Sequence, residues 1–283
     1  LQNKQIQSRN QFLESLITSP SYRKIMKDSI EFKCSVHFKD ILDRLIDDLP
    51  HRWIDFRDVY YDGKCILSKD TIKAKIIGSS DMPLGVMLRN LEDFVLELMY
   101  ETNYKHISKA KKSMMKQELQ KFTELDIPGI YRDFINDKEY FQSLAAKHIE
   151  FSRDIEEILT YTQDNLNANC LYHDDAIVLA YLSLKIYGTN EFRNIKQVVI
   201  DEAQDYYPLQ YEIFKLMFPT SKYTVLGDIN QTLEKEEDLS LYKQIAYILN
   251  KKKSSLVTMD KSFRCTNEIL NFSMKFIDQS PDI

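Results

Sequence analysis

Apolar positions in the first half of the chain recur at helical spacing. Phe12, Leu13, Leu16 and Ile17 share one face of a helix that stops before Pro20. Phe38, Ile41, Leu42, Leu45 and Ile46 fall at i, i+3, i+4, i+7 and i+8, predicting an amphipathic helix that ends before Pro50. The period changes in "WIDFRDVYYDGKCILSKD". Two short β-prone runs there flank Asp62-Gly63, a hairpin signal, and Ser68 or Asp70 can cap the helix that follows. Leu84, Met87, Leu88, Leu91, Phe94, Val95, Leu98 and Met99 make a long helix with a broad apolar stripe. Ile155, Ile158 and Leu159 form the inner face of a helix over 151–164.

From about residue 170 the pattern alternates. A helix over 175–187 ending at Gly188 leads to the strand "KQVVI", a helix near 208–218 and the strand "KYTVLGD". A helix near 239–249, the strand "SLVTMD" and a helix from Thr266 follow. Aliphatic strands without polar alternation, separated by helices of about ten residues, read as a buried parallel sheet. The fold class expected is therefore α/β, a parallel sheet flanked by helices, plus a mainly helical domain with a β-hairpin. The composition shift at "DNLNANC" sets the boundary between a helical domain, 1–168, and the sheet-bearing part from 169 onward.

Composition narrows the function. The 283 residues are 43% hydrophobic and 29% charged, ordinary for a globular chain with a sizeable core. A net charge of −5 argues against uniform coating by nucleic acid while leaving room for a local basic groove. Six Gly favour a helix-rich chain over an all-β one. Cys34, Cys65, Cys170 and Cys265 form no C-x-x-C pair and read as isolated reduced thiols of a cytoplasmic protein. The five His lack zinc spacing, and no apolar run approaches the ~18 residues that span a membrane. The polar start "LQNKQIQSRN" has no initiator Met, so a processed or excised piece is expected.

The candidate chemistry sits in "VVIDEAQDYYPLQ". Ligands of an open parallel sheet bind beyond the carboxyl ends of its strands, where Asp201 and Glu202 fall. Two acids there are costly unless neutralised, and Mg²⁺ carrying a nucleotide takes one or two carboxylates plus phosphate oxygens. The first acid would hold the metal's water shell, and the second would orient and deprotonate the attacking water. A solvated loop with helix-capping acids is the plain alternative. Two later segments favour the chemistry: "VLGDINQ" ends an aliphatic strand in Gly-Asp with Gln231 three residues on, and "SFRCTNEIL" places Arg264 just after a third strand.

With these three motifs in order, the segment 198–272 resembles the ATPase core of UvrD/Rep-type superfamily I helicases. The stretch from "HDDAIVLAYLSLKIYG" to "GDINQT" is similar to HelD-type proteins, bacterial relatives associated with RNA polymerase. The helical part, with "FKDILDRLID" and "VYYDGKCILSKDTI", resembles the insertion such proteins carry. The resemblance implies a RecA-like, P-loop NTPase-type sheet and Mg²⁺ and ATP as cofactors. It makes Asp201 the Mg²⁺-directed carboxylate, bound through water, and Glu202 the catalytic base. Gln204 and Asp205 would couple nucleotide state to neighbouring motifs, Gln231 would bond the γ-phosphate and its water, and Arg264 would neutralise transition-state charge. It further implies RNA polymerase or DNA as partner and no membrane.

Departures limit what the chain does alone. It has no G-x-x-x-x-G-K-[ST] loop to cradle phosphates, so it is expected to be an internal fragment of a larger ATPase, inactive by itself. After Gln231 comes Thr232-Leu233-Glu234-Lys235-Glu236-Glu237, without the aromatic on which a base stacks. That favours a HelD-type role over DNA unwinding. A true repair helicase and a degenerate, non-enzymatic RecA-like module are the rival readings. Lys105, Lys109, Lys111, Lys112, Lys116 and Lys121 are read as the solvated face of a helix that packs Met114, Met115 and Leu119 inward, with a phosphate-contacting face as the alternative. Trp53 is read as a core anchor, and Asp174 and Asp175 as helix caps.

Overall fold

A computed structural model describes residues 5–6, 20–78, 82–102, 107–145, 153–228, 240–259 and 266–277. The helical face expected at Phe12–Ile17 lies outside them. Two units emerge: a helical one reaching Ile195 that also takes in Tyr207–Thr220, and a smaller one of Lys196–Tyr206 with the chain from Ser221 onward.

The helical unit begins with α1 (Pro20–Lys33) and α2 (Val36–Asp48). Ser35 separates them because its hydroxyl accepts from Phe38 N at 3.1 Å, satisfying one of the free donors at a helix start. The i, i+3, i+4, i+7 stripe of α2 is buried as its spacing demands, at Phe38, Ile41, Leu42 and Leu45. Pro50 follows the end of α2, as the spacing predicts. It sits near the start of a π-type turn over Leu49–Trp53, closed by Ile54 N to Leu49 O at 3.1 Å, where a missing N–H costs little. Trp53 packs partly buried against the core, 6.1 Å from the Tyr140 ring centroid.

The hairpin forms where expected, from β2 (Val59–Tyr61) and β3 (Lys64–Leu67), antiparallel. Asp62 (φ 47°) and Gly63 (φ 78°) supply the two left-handed residues that such a turn requires. Ser68 caps α3 (Lys69–Ile77) by accepting from Thr71 N. Then come α4 (Leu84–Thr102), α5 (Lys109–Thr123), α6 (Ile127–Asn136), α7 (Lys138–Ala145), α8 (Arg153–Asn167) and α9 (His173–Tyr187). Gly188, at φ 64°, closes α9. α10 (Pro208–Met217) packs on α9, and its Leu209 N donates to Cys34 O at the end of α1. Gln5–Ile6 (β1) pairs in parallel with Cys170–Leu171 (β4). Phe38, Phe134 and Phe141 are fully buried at the centre, with Phe134 and Phe141 centroids 5.2 Å apart.

Two expectations in this unit are corrected. Met114 is 66% exposed, while Met115 and Leu119 are buried, because position 114 falls on the solvent side of α5. Asp174 and Asp175 do not cap α9. The cap position belongs to Tyr172, and both acids turn inward onto Lys33.

In the smaller unit β5 (Gln197–Ile200) and β6 (Lys222–Val225) pair in parallel and in step, from Gln197 opposite Lys222 to Ile200 opposite Val225. Helices α11 (Ser240–Leu249) and α12 (Asn267–Ile277) follow. The strand expected over "SLVTMD" is not formed at 255–259, and Asp260 lies outside the described residues. Leu256, Val257 and Met259 are 55%, 74% and 87% exposed, since β-prone residues become a strand only where a neighbouring edge accepts their hydrogen bonds. The fold is thus mixed α/β and mostly helical. Among the described residues no helix is long and apolar enough to cross a membrane.

Candidate active site

Matched register decides where the acids go. Ile200 and Val225 end their strands side by side, so Asp201–Gln204 and Leu226–Asp228 leave the sheet together at its carboxyl edge. The pairing continues irregularly for one step, with Leu226 N donating to Ile200 O at 2.8 Å and Ala203 N to Leu226 O at 2.9 Å. Between these bonds the chain must turn sharply. It does so at Glu202, held left-handed at φ 51° and ψ 51°, followed by a 3₁₀ turn over Ala203–Asp205. A non-glycine residue in that region costs about 1–2 kcal/mol, which the flanking bonds to β6 offset.

The turn arranges the polar groups. Asp201 Oδ1 accepts from Glu202 N at 3.0 Å, and Oδ2 has no hydrogen-bond partner among the described residues. Gln204 bridges the two loops: its Nε2 donates to Glu202 Oε2 at 2.7 Å and its Oε1 accepts from Asp228 N at 3.2 Å. Glu202 Oε1 has no hydrogen-bond partner among the described residues. Both acids are exposed and Gln204 is half-buried. Asp205 is exposed at the end of the turn, where its backbone N donates to Glu202 O at 2.9 Å. Tyr242 of α11 stands beside Asp228; burial, then the Asp228 charge, pushes its phenol above the usual range.

Asp201, Glu202, Gln204 and Asp205 are therefore brought together on one loop. Gln231 and Arg264 lie outside the described residues. Sequence reasoning missed two small residues that make the loop possible. Ala203 is fully buried, and a Cβ on Gly227 would lie 2.5 Å from the Tyr242 hydroxyl and 2.8 Å from Gln204 Oε1. The visible signal was size alone, one small side chain inside "DEAQD" and none at Gly227.

The residues present fit a magnesium–nucleotide complex in kind. Mg²⁺ keeps most of its water shell and needs one or two carboxylates, so an exposed carboxylate with an open oxygen meets its requirement. Among the described residues no group of three or more His, Cys, Asp or Glu could form an all-protein cage. The model for the UvrD/REP helicase N-terminal domain matches residues 8–233. The chain belongs to the UvrD/REP helicase family. That assignment covers the acidic loop and the strand pair on which it stands, and identifies the chain with ATP-binding, ATP-hydrolysing helicases. No curated protein matches the chain.

The lysines of α5 serve first as a helix surface. Lys111 donates to Asp62 at 2.8 Å and lies over the Tyr61 ring, Lys112 lies over Tyr100, and Lys121 pairs with Glu118. The Lys111 and Lys112 contacts hold α5 against the hairpin and α4, while the Lys121–Glu118 pair lies within α5.

Proposed function

We propose that this chain carries the water-activating half of the ATP site of a HelD-type member of the family, and that the whole protein uses hydrolysis to remodel RNA polymerase or nucleic-acid complexes. In this reading residues 1–168 are the family-specific helical insertion, 169–254 complete the first RecA-like domain and 255–283 begin the second. The phosphate-cradling loop is contributed by chain outside this sequence, so the polypeptide alone is inactive.

One observation carries the reading: Gln204 bonds both Glu202 and Asp228 and so ties the acidic loop to the end of the neighbouring strand. A general base works only when aimed, and Gln204 fixes one oxygen of Glu202 while the other stays free to take a proton from water. Asp201 would hold the hydrated metal through Oδ2, because Oδ1 is engaged by Glu202 N. Bound Mg·ATP supplies the electrophilic phosphorus and the cation that spreads its charge. Gln231 and Arg264 are assigned to the γ-phosphate side on the motif pattern. Asp205, at the end of the same turn, would transmit its position to the chain leading into α10.

Turnover of the complete ATPase carrying Glu202→Gln tests the assignment. Loss of the base should lower kcat by about 10²–10⁴ while Mg·ATP binding stays within a few-fold. Turnover at the wild-type rate would remove Glu202 from this role. The HelD-type part is tested separately, by co-purification of RNA polymerase with the complete protein and by whether single-stranded DNA stimulates its ATPase.

A further inference from the structure

The first turn of α9 carries two adjacent acids into the core of the helical unit, where α1 and α6 close over them. Asp174 is 6% exposed, Asp175 1% and Lys33 of α1 1%. Lys33 Nζ lies 2.6 Å from Asp175 Oδ1 and 2.9 Å from Asp174 Oδ2. Ser29 Oγ donates to Asp174 Oδ2 at 2.7 Å, and Tyr131 of α6 donates to Asp175 Oδ1 at 2.8 Å. Asp175 Oδ2 is buried and meets no partner among the described residues.

The charges do not balance. Two carboxylates face one ammonium, and a leftover negative charge sealed from water is costly enough that the group neutralises instead. Among the described residues the neighbours offer no second cation. From α1 the cluster meets Lys33 and Cys34, from α6 Tyr131, and from α9 itself the two acids. Burial, reinforced by the acids, holds Cys34 and Tyr131 in their neutral forms. Further along α9, Asp43 of α2 and Glu212 of α10 face Tyr181, but Asp43 is paired with Lys39 and Lys185 and Glu212 with Lys215, so that cluster is compensated within itself.

The two acids are also unequally served. Each takes the ammonium and one hydroxyl on a single oxygen, but Asp174 also accepts the Asp175 backbone N–H, whereas Asp175 leaves Oδ2 buried and bare. We infer that Asp175 binds a proton at neutral pH, so that the clasp joining α1, α6 and α9 consists of one ammonium, one carboxylate and one carboxylic acid. Loss of that proton with rising pH loosens the clasp. The direction of each titration agrees. Burial raises Asp175, with Asp174 adding to it and Lys33 opposing. For Asp174 burial is outweighed by the Lys33 charge and the bonds from Ser29 and Lys33, and the group is held low. The clasp adjoins the anchor of α10, since Cys34 O accepts Leu209 N at 3.0 Å. This device is independent of the ATP reading and is tested without nucleotide.

The sign follows from linkage. A carboxyl raised in the folded state keeps a proton that the unfolded chain has released above pH ~4, so its stabilisation is full below that value and is lost as pH rises through the folded pKa. Between the two, one extra bound proton makes the unfolding constant rise about tenfold per pH unit. Asn is the isostere of the acid: its oxygen still accepts from Lys33 and Tyr131 and its amide takes the bare position.

The experiment uses the 283-residue chain. Infrared difference spectra of wild type against Asp175→Asn at pH 7 should contain a buried carboxylic-acid carbonyl band that shifts on ¹³C labelling of aspartate. Denaturant unfolding from pH 5 to 7 should show Asp175→Asn at least as stable as wild type at pH 7. Its dependence on pH should be shallower by about tenfold in the unfolding constant per unit. Absence of the acid band, or equal pH slopes in the two proteins, overturns the inference, as does more than tenfold destabilisation by Asp175→Asn at pH 7.

Discussion

Gly227 separates the backbone of one loop from the side chains of another, and replacing it with Ala tests whether that spacing holds Glu202. The added Cβ would lie 2.5 Å from the Tyr242 hydroxyl, 2.8 Å from Gln204 Oε1 and 3.1 Å from Ala203 Cβ. Ala203 cannot retreat, being buried in the 3₁₀ turn and bonded through its N to Leu226 O. Tyr242 and Gln204 can, because only the ends of their side chains are involved. Moving Gln204 costs its bonds to Asp228 N and to Glu202 Oε2. At about 0.5–1.5 kcal/mol each for groups that water reaches, these come to about 1–3 kcal/mol, similar to the ordinary cost of overpacking. If half or more of that appears as misalignment of Glu202, kcat of the complete ATPase falls about tenfold, with KM little changed. Gln204→Ala should reproduce the loss of kcat without the steric loss of stability. Denaturant unfolding of this chain and steady-state hydrolysis by the complete enzyme separate the two effects. The reasoning is refuted if Gly227→Ala loses stability while both variants hydrolyse ATP at the wild-type rate, because Gln204 would then not be aiming the base.

Two further outcomes follow from the helical unit, both read by chemical denaturation. Phe141→Ala removes a fully buried ring packed against Phe134 and Phe38 and should cost about 3–5 kcal/mol, since the surrounding helices cannot collapse into the space. Tyr181→Phe removes the donor to Asp43 Oδ1 at 2.7 Å and should cost about 1–2 kcal/mol at neutral pH. Asp43 is held low although burial opposes it, chiefly by the Tyr181 and Lys39 bonds. Its contribution is therefore present above the ordinary carboxylate pKa and lost as pH falls through the depressed folded value. Tyr181→Phe should accordingly lose less stability than wild type between pH 5 and 3.

What could be read from the chain and what could not divides along a physical line. Helices α2, α4 and α9, the hairpin at Asp62-Gly63 and strands β5 and β6 were all legible, because each is specified by side chains within a few positions of one another. The acidic loop was legible for the same reason: an aliphatic run that ends in Asp-Glu announces a strand edge. The run over 255–259 has the same local signal yet forms no strand, because a strand is completed by its neighbour. The run from Ser255 to Met259 cannot say whether an edge is there to receive it.

Asp174 and Asp175 show the converse. Two acids at the start of a helix satisfy the capping rule so well that local reasoning stops there. Their actual partner, Lys33, is separated by 142 positions along the chain, and nothing around Lys33 marks it as buried. Only the packing of α1 against α9 supplies that information, and with it the charge imbalance on which the protonation of Asp175 rests. Gly227 and Ala203 belong to the same class. Their role is to be small where two loops cross, and smallness in a sequence has no direction until the crossing is known. A site whose reactive groups are encoded locally is thus held in place by residues encoded only through contact, so substitutions at Gly227 test the architecture more sharply than substitutions at the acids themselves.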